Sequence, residues 1–173
     1  MFVMRPARPG DREAFAELLL ARCEWMELRG IPSWRPSADD LVAMCDNPYG
    51  DVWVMEDEDG RMVGRTTVQP QGAPWWTAAE RAEPPFYLST TVTHPGFRRW
   101  KPGTLIAWWA VNRAAEQGAR WVRRDCLEPG LLRYYRSQGF TLVREVEWKR
   151  HRRYLLQRRA ERLDLPQVRT EPR

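Results

Sequence analysis

The stretch TTVTHPGFRRWKPGTLIAWWAVNRAA, residues 90–115, carries most of the information in this 173-residue chain. Its first residues predict a strand, its middle a basic turn, and the apolar spacing after Gly103 a helix that ends before Gly118. The start of a helix exposes backbone N–H groups and the positive end of the helix dipole, which together favour phosphate. Three cations occupy the turn: Arg98, Arg99 and Lys101. The pattern fits an anion site, and it also fits an ordinary basic turn between a strand and a helix.

The composition is that of a globular protein, with 43% hydrophobic and 29% charged residues. No apolar run approaches the roughly 18 residues that a membrane span requires, so we expect no membrane partner. The N-terminus lacks the apolar core of a signal peptide, which predicts a cytoplasmic location. The length fits one domain, placed at residues 1–165, and residues 166–173 are predicted to be a disordered tail.

The cysteines and histidines predict neither a metal site nor a disulfide framework. The three cysteines lie far apart and form no C-x-x-C pair, and the chain has only two histidines. We therefore expect no metal and three reduced thiols, Cys23, Cys45 and Cys126. The net charge is +5 and almost all basic residues are arginines, which bind phosphate through two parallel N–H bonds. This charge balance is compatible with a nucleotide ligand, a nucleic acid or a solvated surface.

Strand and helix signals follow one another along the whole chain. The first half is predicted to contain a strand at 2–7, a helix from the candidate N-cap Asp11 to Gly30, a proline-rich loop at 30–37, a short helix from Ser37 or Asp39 through Met44, a turn at 46–50 and a hairpin at 51–69. The second half is predicted to contain a long loop at 70–85 with one helical turn, a strand at 86–93, a helix at 103–117, a strand at 119–127, a helix at 129–139 and a strand at 140–148. Residues 151–159 fit either a strand or a helix.

Residues 94–103, HPGFRRWKPG, resemble the acetyl-CoA pyrophosphate loop of the GNAT N-acetyltransferases. On that family's signature, [QR]-x-x-G-x-[GA], Arg98 takes the first position and Gly103 the last. Lys101 stands where the first glycine normally lies, and Pro102 has no N–H to offer a phosphate. The resemblance implies acetyl-CoA as the acyl-donor substrate. It also implies a set of contacts to that donor, from Thr91, Val92 and Thr93 along the pantetheine arm and from Arg98, Arg99, Trp100, Lys101, Gly103 and Thr104 at the phosphates.

Two further fragments are similar to the same family, in the family's order. LLRYYRSQGF, residues 131–140, resembles its F-Y-x-x-x-G-F ending and implies that Tyr135 is the general acid that protonates the departing CoA sulfur. Glu128 stands where an asparagine often lies in that family. RGIPSWRP, residues 29–36, resembles a G-I-x-Q-W stretch of bacterial members, which makes Trp25 and Trp34 candidate walls of the acceptor pocket. The resemblance implies a GNAT-like α/β (α+β) fold: a mixed, mostly antiparallel central sheet of six to seven strands flanked by about four helices.

The activity that the resemblance implies is transfer of an acetyl group to an amine of a small molecule or peptide. The sequence does not identify a general base, because Glu56, Glu58 and Glu83 are each more typical of solvated carboxylates. Trp75 and Trp76 could cover an acceptor pocket, fill a groove or form the interface of a homodimer. Two alternatives stay open: a catalytically silent acyl-CoA-binding member of the same fold, and a nucleic-acid-binding module that uses the basic run KRHRRYLLQRRAER, residues 149–162. We do not expect nucleic acid as the partner, since such runs are more often solvated surfaces.

Overall fold

A computed structural model describes residues 1–43 and 51–172. Its strands are β1 (Phe2–Pro6), β2 (Asp51–Glu56), β3 (Met62–Gln69), β4 (Tyr87–Thr93), β5 (Trp121–Cys126), β6 (Thr141–Trp148), β7 (His151–Arg159) and β8 (Val168–Thr170). Its helices are α1 (Arg12–Glu27), α2 (Ala38–Ala43), α3 (Ala78–Ala82), α4 (Pro102–Glu116) and α5 (Pro129–Ser137). Within the described ranges, 3₁₀ turns lie at Pro9–Asp11, Arg35–Ser37 and Pro95–Trp100. The predicted mixed α/β class is confirmed, with eight strands in the sheet instead of six to seven.

The chain forms two compact units. The first comprises Met1–Thr67, Thr90–Ile106 and Leu165–Arg173. Its strands follow the order β8-β1-β2-β3-β4, with β2 antiparallel to β1 and β8 parallel to it. The core of this unit is the apolar face of α1 packed on the sheet. Its buried members are Phe15, Leu18, Leu19, Cys23, Val54, Met62 and Val92.

The start of α1 differs from its sequence prediction. Asp11 precedes the helix as expected, but its side chain makes no capping bond to α1. Its carboxylate accepts from the Arg8 backbone N–H at 2.6 Å and from both terminal nitrogens of Arg5, at 2.7 and 2.8 Å. An unpaired buried guanidinium costs more free energy than an uncapped helix end. The Asp11 side chain therefore binds Arg5 instead of capping α1. Hydrogen bonding to Arg5 and Arg8 lowers the pKa of Asp11 against the opposing effect of burial.

The prediction of a disordered tail is wrong for residues 168–170, which form β8 beside β1. The Phe2 N–H donates to the Gln167 carbonyl at 2.8 Å, and the Glu171 N–H donates to the Met4 carbonyl at 2.8 Å. Arg8 forms an ion pair with Glu171 at 3.3 Å. Backbone pairing supplies the order here, and a segment so short and polar gives no periodic signal for it.

The second unit comprises Val68–Ser89 and Ala107–Asp164. Within it β5 pairs with β7, and β6 pairs with β7, both antiparallel. Residues 151–159, left open between strand and helix, are therefore a strand. The hairpin that joins β6 to β7 turns at Lys149 and Arg150, whose φ angles are 48° and 65°. No helix in the described ranges is long and apolar enough to cross a bilayer.

The 70–85 loop is a fixed part of the second unit. Its predicted helical turn is α3, which Thr77 and Glu80 cap reciprocally. Glu80 also binds Arg144 through both carboxylate oxygens, at 2.8 and 2.5 Å. Trp76 is buried against Tyr87, with ring centroids 5.9 Å apart. Of the three roles left open for the loop tryptophans, burial favours the filling of an apolar groove for Trp76, which packs with Tyr87 and Leu155.

Trp75 packs on neighbours of the same unit. Its ring lies edge-on to Trp148, with centroids 5.9 Å apart, and the Arg153 guanidinium stacks 3.9 Å from its centroid. The predicted turn at residues 46–50, together with Met44 and Cys45, lies outside the described residues. Cys23 and Cys126 are buried and reduced. The expectation of one domain over residues 1–165 stays a prediction.

Candidate functional site

The connection from β4 to α4 carries most of the predicted donor contacts. β4 pairs with β5 in parallel through one residue pair, Tyr87 opposite Arg123. Three residues later Thr90 has a φ of 47°, which is rare for a β-branched residue. Leu88 and Val92 are buried, whereas Thr90 between them is only half-buried. The strand is thus irregular at Thr90, and sequence periodicity gave no sign of it.

Lys101 keeps the backbone conformation that a glycine would favour. Its φ and ψ are both 53°, in the left-handed region, and its N–H donates to the Arg98 carbonyl at 3.0 Å. The family signature has glycine at this position. A lysine in this conformation costs about 1–2 kcal/mol of backbone strain.

The first turn of α4 offers few amides. Pro102 has no N–H, and the Thr104 N–H donates to the Lys101 carbonyl at 2.9 Å. In the ranges that the structure describes, the Gly103 N–H has no acceptor within hydrogen-bond distance. Gly103 therefore provides the amide donor at the positive end of α4.

The two arginines of the loop stack on aromatic rings. The Arg99 guanidinium carbon lies 3.6 Å from the centroid of Trp100, whose side chain is 42% exposed. The Arg98 guanidinium carbon lies 4.7 Å from the centroid of Trp25. Stacking of this kind leaves the N–H groups of a guanidinium in its own plane, available to an anion.

Trp25, predicted as a wall of the acceptor pocket, is surrounded by arginines. Besides Arg98, Arg22 and Arg29 place their guanidinium carbons 5.0 and 4.2 Å from its centroid. Arg22 also donates to the Thr93 carbonyl at 2.8 Å and to the Thr93 hydroxyl at 2.7 Å. The predicted role of Trp25 as a pocket wall stays a prediction. The carbonyl and hydroxyl oxygens of Thr93 already accept hydrogen bonds from Arg22.

Trp34, the other predicted wall of the acceptor pocket, and His94, the first residue of the matched loop, each lie at the start of a 3₁₀ turn. Trp34 is 37% exposed and precedes the 3₁₀ turn Arg35–Ser37, where its carbonyl accepts from the Ser37 N–H at 2.9 Å. His94 caps the next 3₁₀ turn through Nδ1, which accepts from the Gly96 N–H at 3.1 Å. Burial and the charge of Arg22 lower the pKa of His94. A neutral imidazole suits this acceptor role.

Tyr135 lies in the second unit, on α5, with 9% of its surface exposed. Burial raises the pKa of its phenol, and the charge and hydrogen bonding of Arg124 oppose that rise. The Arg124 guanidinium carbon lies 3.5 Å from the centroid of the Tyr135 ring. The phenol is therefore fully protonated at neutral pH, and a positive charge lies close to it.

Arg124 is a functional candidate that the sequence reasoning missed. It is 4% exposed and lies on β5 two residues from each of the buried Val122 and Cys126. Because side chains two apart point to the same side of a strand, Arg124 shares their buried face. The sequence does contain a signal for this burial, because an arginine stands between two apolar residues at the two-residue spacing of one strand face. Its Nη1 lies 3.5 Å from Oε1 of Gln138, a side chain that is 1% exposed.

Cys126 and Glu128 lie beside the same helix. The Cys126 thiol lies 3.8 Å from the Glu128 carbonyl. Burial raises the pKa of the Cys126 thiol to about 11, so it remains a thiol at neutral pH. A protonated buried thiol is a poor nucleophile, which favours the interpretation of Cys126 as core packing.

The three carboxylates considered as bases all have cationic partners. Glu56 is paired with Arg5, Glu58 with the N-terminal ammonium at 2.8 Å, and Glu83 with Arg123 at 3.4 Å. The structure therefore assigns no general base among these three carboxylates. Over residues 1–43 and 51–172, no group of three or more His, Cys, Asp or Glu side chains could hold a metal ion.

No protein-family model and no curated protein sequence matches the chain. Solved structures match over nearly its whole length. An acetyltransferase of the GNAT family from Listeria monocytogenes has a TM-score of 0.70 at 19% identity, covering 91% of this chain and 94% of that one. The ribosomal-protein-S18-alanine N-acetyltransferase from Escherichia coli has a TM-score of 0.64 at 10% identity, covering 95% and 97%. A mutant form of a spermidine N-acetyltransferase from Vibrio cholerae has a TM-score of 0.62 at 12% identity, covering 92% and 94%. At such identities the shared property is the fold.

Proposed function

Because the chain has the fold of the GNAT acetyltransferases, we propose that it transfers an acetyl group from acetyl-CoA to an amine of a small molecule or peptide. The observation that carries this proposal is the loop before α4. Lys101 adopts the left-handed conformation that glycine favours, and the Gly103 amide has no internal acceptor among the described residues. A cationic loop that ends in such an amide suits a diphosphate.

The diphosphate of the donor would be held by side-chain and backbone donors together. Arg98 brings a planar fork of N–H groups, and Gly103 brings its amide at the positive end of the α4 dipole. The Lys101 ammonium, which is exposed, replaces the amide that Pro102 lacks. Arg99, Trp100 and Thr104 line the same turn and are secondary contacts in this proposal.

The pantetheine arm would run along β4. Its amides need backbone partners, and the strand supplies them from Thr91 and Val92 in the manner of an added strand. Thr93 is a weaker partner because Arg22 already occupies its carbonyl and hydroxyl oxygens. We assign the oxyanion of the tetrahedral intermediate to the Val92 N–H.

The proposed reaction is direct attack without an acyl-enzyme. The acceptor nitrogen forms a bond to the thioester carbonyl carbon, and the carbon–sulfur bond breaks as the intermediate collapses. The Tyr135 hydroxyl gives its proton to the thiolate, leaving a phenolate that Arg124 stabilises. The acceptor ammonium gives one proton to solvent before its nitrogen attacks. The second proton leaves the nitrogen as the intermediate collapses and returns Tyr135 to its phenol form, so the net reaction releases one proton.

Isothermal titration with acetyl-CoA is the first test, and a thiol-release assay over amines, amino acids, aminoglycosides and peptides is the second. Binding with release of free CoA in the presence of one amine class supports the proposal. Tyr135→Phe keeps the ring and removes the proton, so it should retain CoA affinity and lose turnover. A wild-type chain that does not bind acetyl-CoA would contradict the proposed function outright.

A further inference from the structure

The first unit gathers three positive charges around one indole. The guanidinium carbons of Arg22, Arg29 and Arg98 all lie within 5.0 Å of the Trp25 ring centroid. No two of them can therefore be more than about 10 Å apart, close to the screening length of physiological salt, about 8 Å. We call these four residues the Trp25 cluster. Like charges at this separation repel, so the cluster favours an anion beside it.

One carboxylate on the same helix is engaged outside the cluster. Glu27 on α1 is bound to Arg35 through both carboxylate oxygens, each at 2.8 Å. Within residues 1–43 and 51–172, neither Arg29 nor Arg98 forms an ion pair with a carboxylate. The charge of Arg22 is strong enough at this place to lower the pKa of His94 together with burial.

The three arginines differ in how their N–H groups are used. Arg22 donates to Thr93, as described above, which ties α1 to the end of β4. Arg29 donates to the Trp25 carbonyl at 3.2 Å. Arg98 is exposed, and in the described part of the chain its guanidinium makes no hydrogen bond. Among the described residues, the stacking on Trp25 is the contact that holds its guanidinium.

We propose that Trp25 is a positioning residue for the acyl donor: it holds the Arg98 guanidinium in place for the phosphate groups of coenzyme A. This inference rests on the proposed function. It replaces the expectation that Trp25 is a wall of the acceptor pocket. An arginine on a flexible stem loses side-chain entropy when it binds phosphate, and a half-buried indole platform removes part of that loss before binding.

Arg29 provides a matched control. It stacks on the same ring and carries the same charge, but its guanidinium already donates to the Trp25 carbonyl of α1. Arg98→Ala should weaken CoA binding about tenfold or more, as expected for loss of a charge-assisted pair, whereas Arg29→Ala should change it less than about twofold. Equal losses for the two variants would overturn the proposal, because general charge attraction would then account for both.

The decisive measurement is a double-mutant cycle on coenzyme A affinity by titration calorimetry. Trp25→Leu removes the aromatic face and should weaken binding several-fold, while Trp25→Phe keeps a face and should stay within about threefold of wild type. In the Arg98→Ala background, Trp25→Leu should have no further effect beyond about twofold. If the two losses multiply instead, Trp25 does not act through Arg98 and the proposal fails.

Steady-state kinetics distinguishes two roles for Trp25: positioning Arg98 for the acyl donor, or forming a wall of the acceptor pocket. Trp25→Leu should raise KM for acetyl-CoA and leave kcat and KM for the amine unchanged. A rise confined to KM for the amine would restore the earlier assignment. Circular dichroism confirms that each variant is folded, and should Trp25→Leu unfold, the Arg98→Ala and Arg29→Ala contrast still decides. If the wild-type protein binds no coenzyme A, the proposed function fails. If the wild type and Trp25→Leu bind it equally well, only this inference fails.

Discussion

The Arg124 guanidinium carbon lies 3.5 Å from the centroid of the Tyr135 ring, with both side chains buried in the second unit. A buried phenol holds its proton tightly, since burial penalises the phenolate. Transfer of that proton to a thiolate is therefore uphill unless a positive charge offsets the penalty. Arg124 supplies that charge, and it opposes the rise in the pKa of Tyr135 that burial causes.

Replacing Arg124 with methionine should lower kcat about tenfold, with little change in KM for acetyl-CoA. The pKa of Tyr135 should rise further, because the opposing charge is lost, and one pKa unit corresponds to a factor of ten. Arg124→Lys keeps the charge and should recover part of the rate. The measurement is steady-state kinetics beside an ultraviolet titration of the tyrosine, with Tyr135→Phe subtracted. Equal rates for the lysine and methionine variants would show that the charge is not used.

Replacing Lys101 with glycine should stabilise the protein by about 0.5–1 kcal/mol. Left-handed strain of about 1–2 kcal/mol is relieved, and the greater freedom of glycine in the unfolded chain takes back part of that gain. Lys101→Ala is the control, because it removes the ammonium and keeps the strain. Urea unfolding measures the free energy, and acetyl-CoA titration of the same variants shows the ammonium contribution. A glycine variant less stable than the alanine variant would contradict the strain argument.

The order of elements could be predicted from sequence because each follows from a local signal. The Asp57–Gly60 turn, the stop at Gly118 and the proline start of α5 all lie where hydrophobic period and turn residues placed them. The site was predicted less completely. Arg98 and Tyr135 were identified through resemblance, and their roles stay predictions.

What sequence could not supply are contacts between residues distant along the chain. Trp25 was assigned to an acceptor pocket because of its place beside a weak motif, whereas its stacking with Arg98 joins residues 73 positions apart. β8 depends on pairing with β1 at the other end of the chain. Neither relation has a periodic signature, so both required the structure.

The hairpin between β6 and β7 should be stabilised by Lys149→Asn with Arg150→Gly. Two consecutive left-handed residues form its turn, and asparagine followed by glycine is the favoured pair for that geometry. The expected gain is about 1–2 kcal/mol in the free energy of unfolding, from relief of strain at both positions. Lys149→Arg with Arg150→Lys keeps charge and strain and should be neutral. Thermal and urea unfolding measure this change in the free energy of unfolding. An unchanged value would show that the left-handed residues of the turn are not strained.

The ion pair of Glu80 with Arg144 fixes the 70–85 loop and should make stability depend on acid pH. Hydrogen bonding to Arg144 is the largest cause that lowers the pKa of Glu80, to about 2 from an ordinary 4.5. A lowered pKa means that its stabilisation is complete above about pH 4.5 and is lost as the pH falls toward about 2. Glu80→Gln should lower stability by about 1–2 kcal/mol at pH 7, discounted because Arg144 is partly exposed, and should flatten the acid limb of the curve. Glu27→Gln is the matched control: Glu27 has a similarly lowered pKa of about 2 in an exposed pair with Arg35, so its loss should matter less. Urea unfolding from pH 7 to pH 3 decides, and a Glu80→Gln curve parallel to wild type would show that the pair does not anchor the loop.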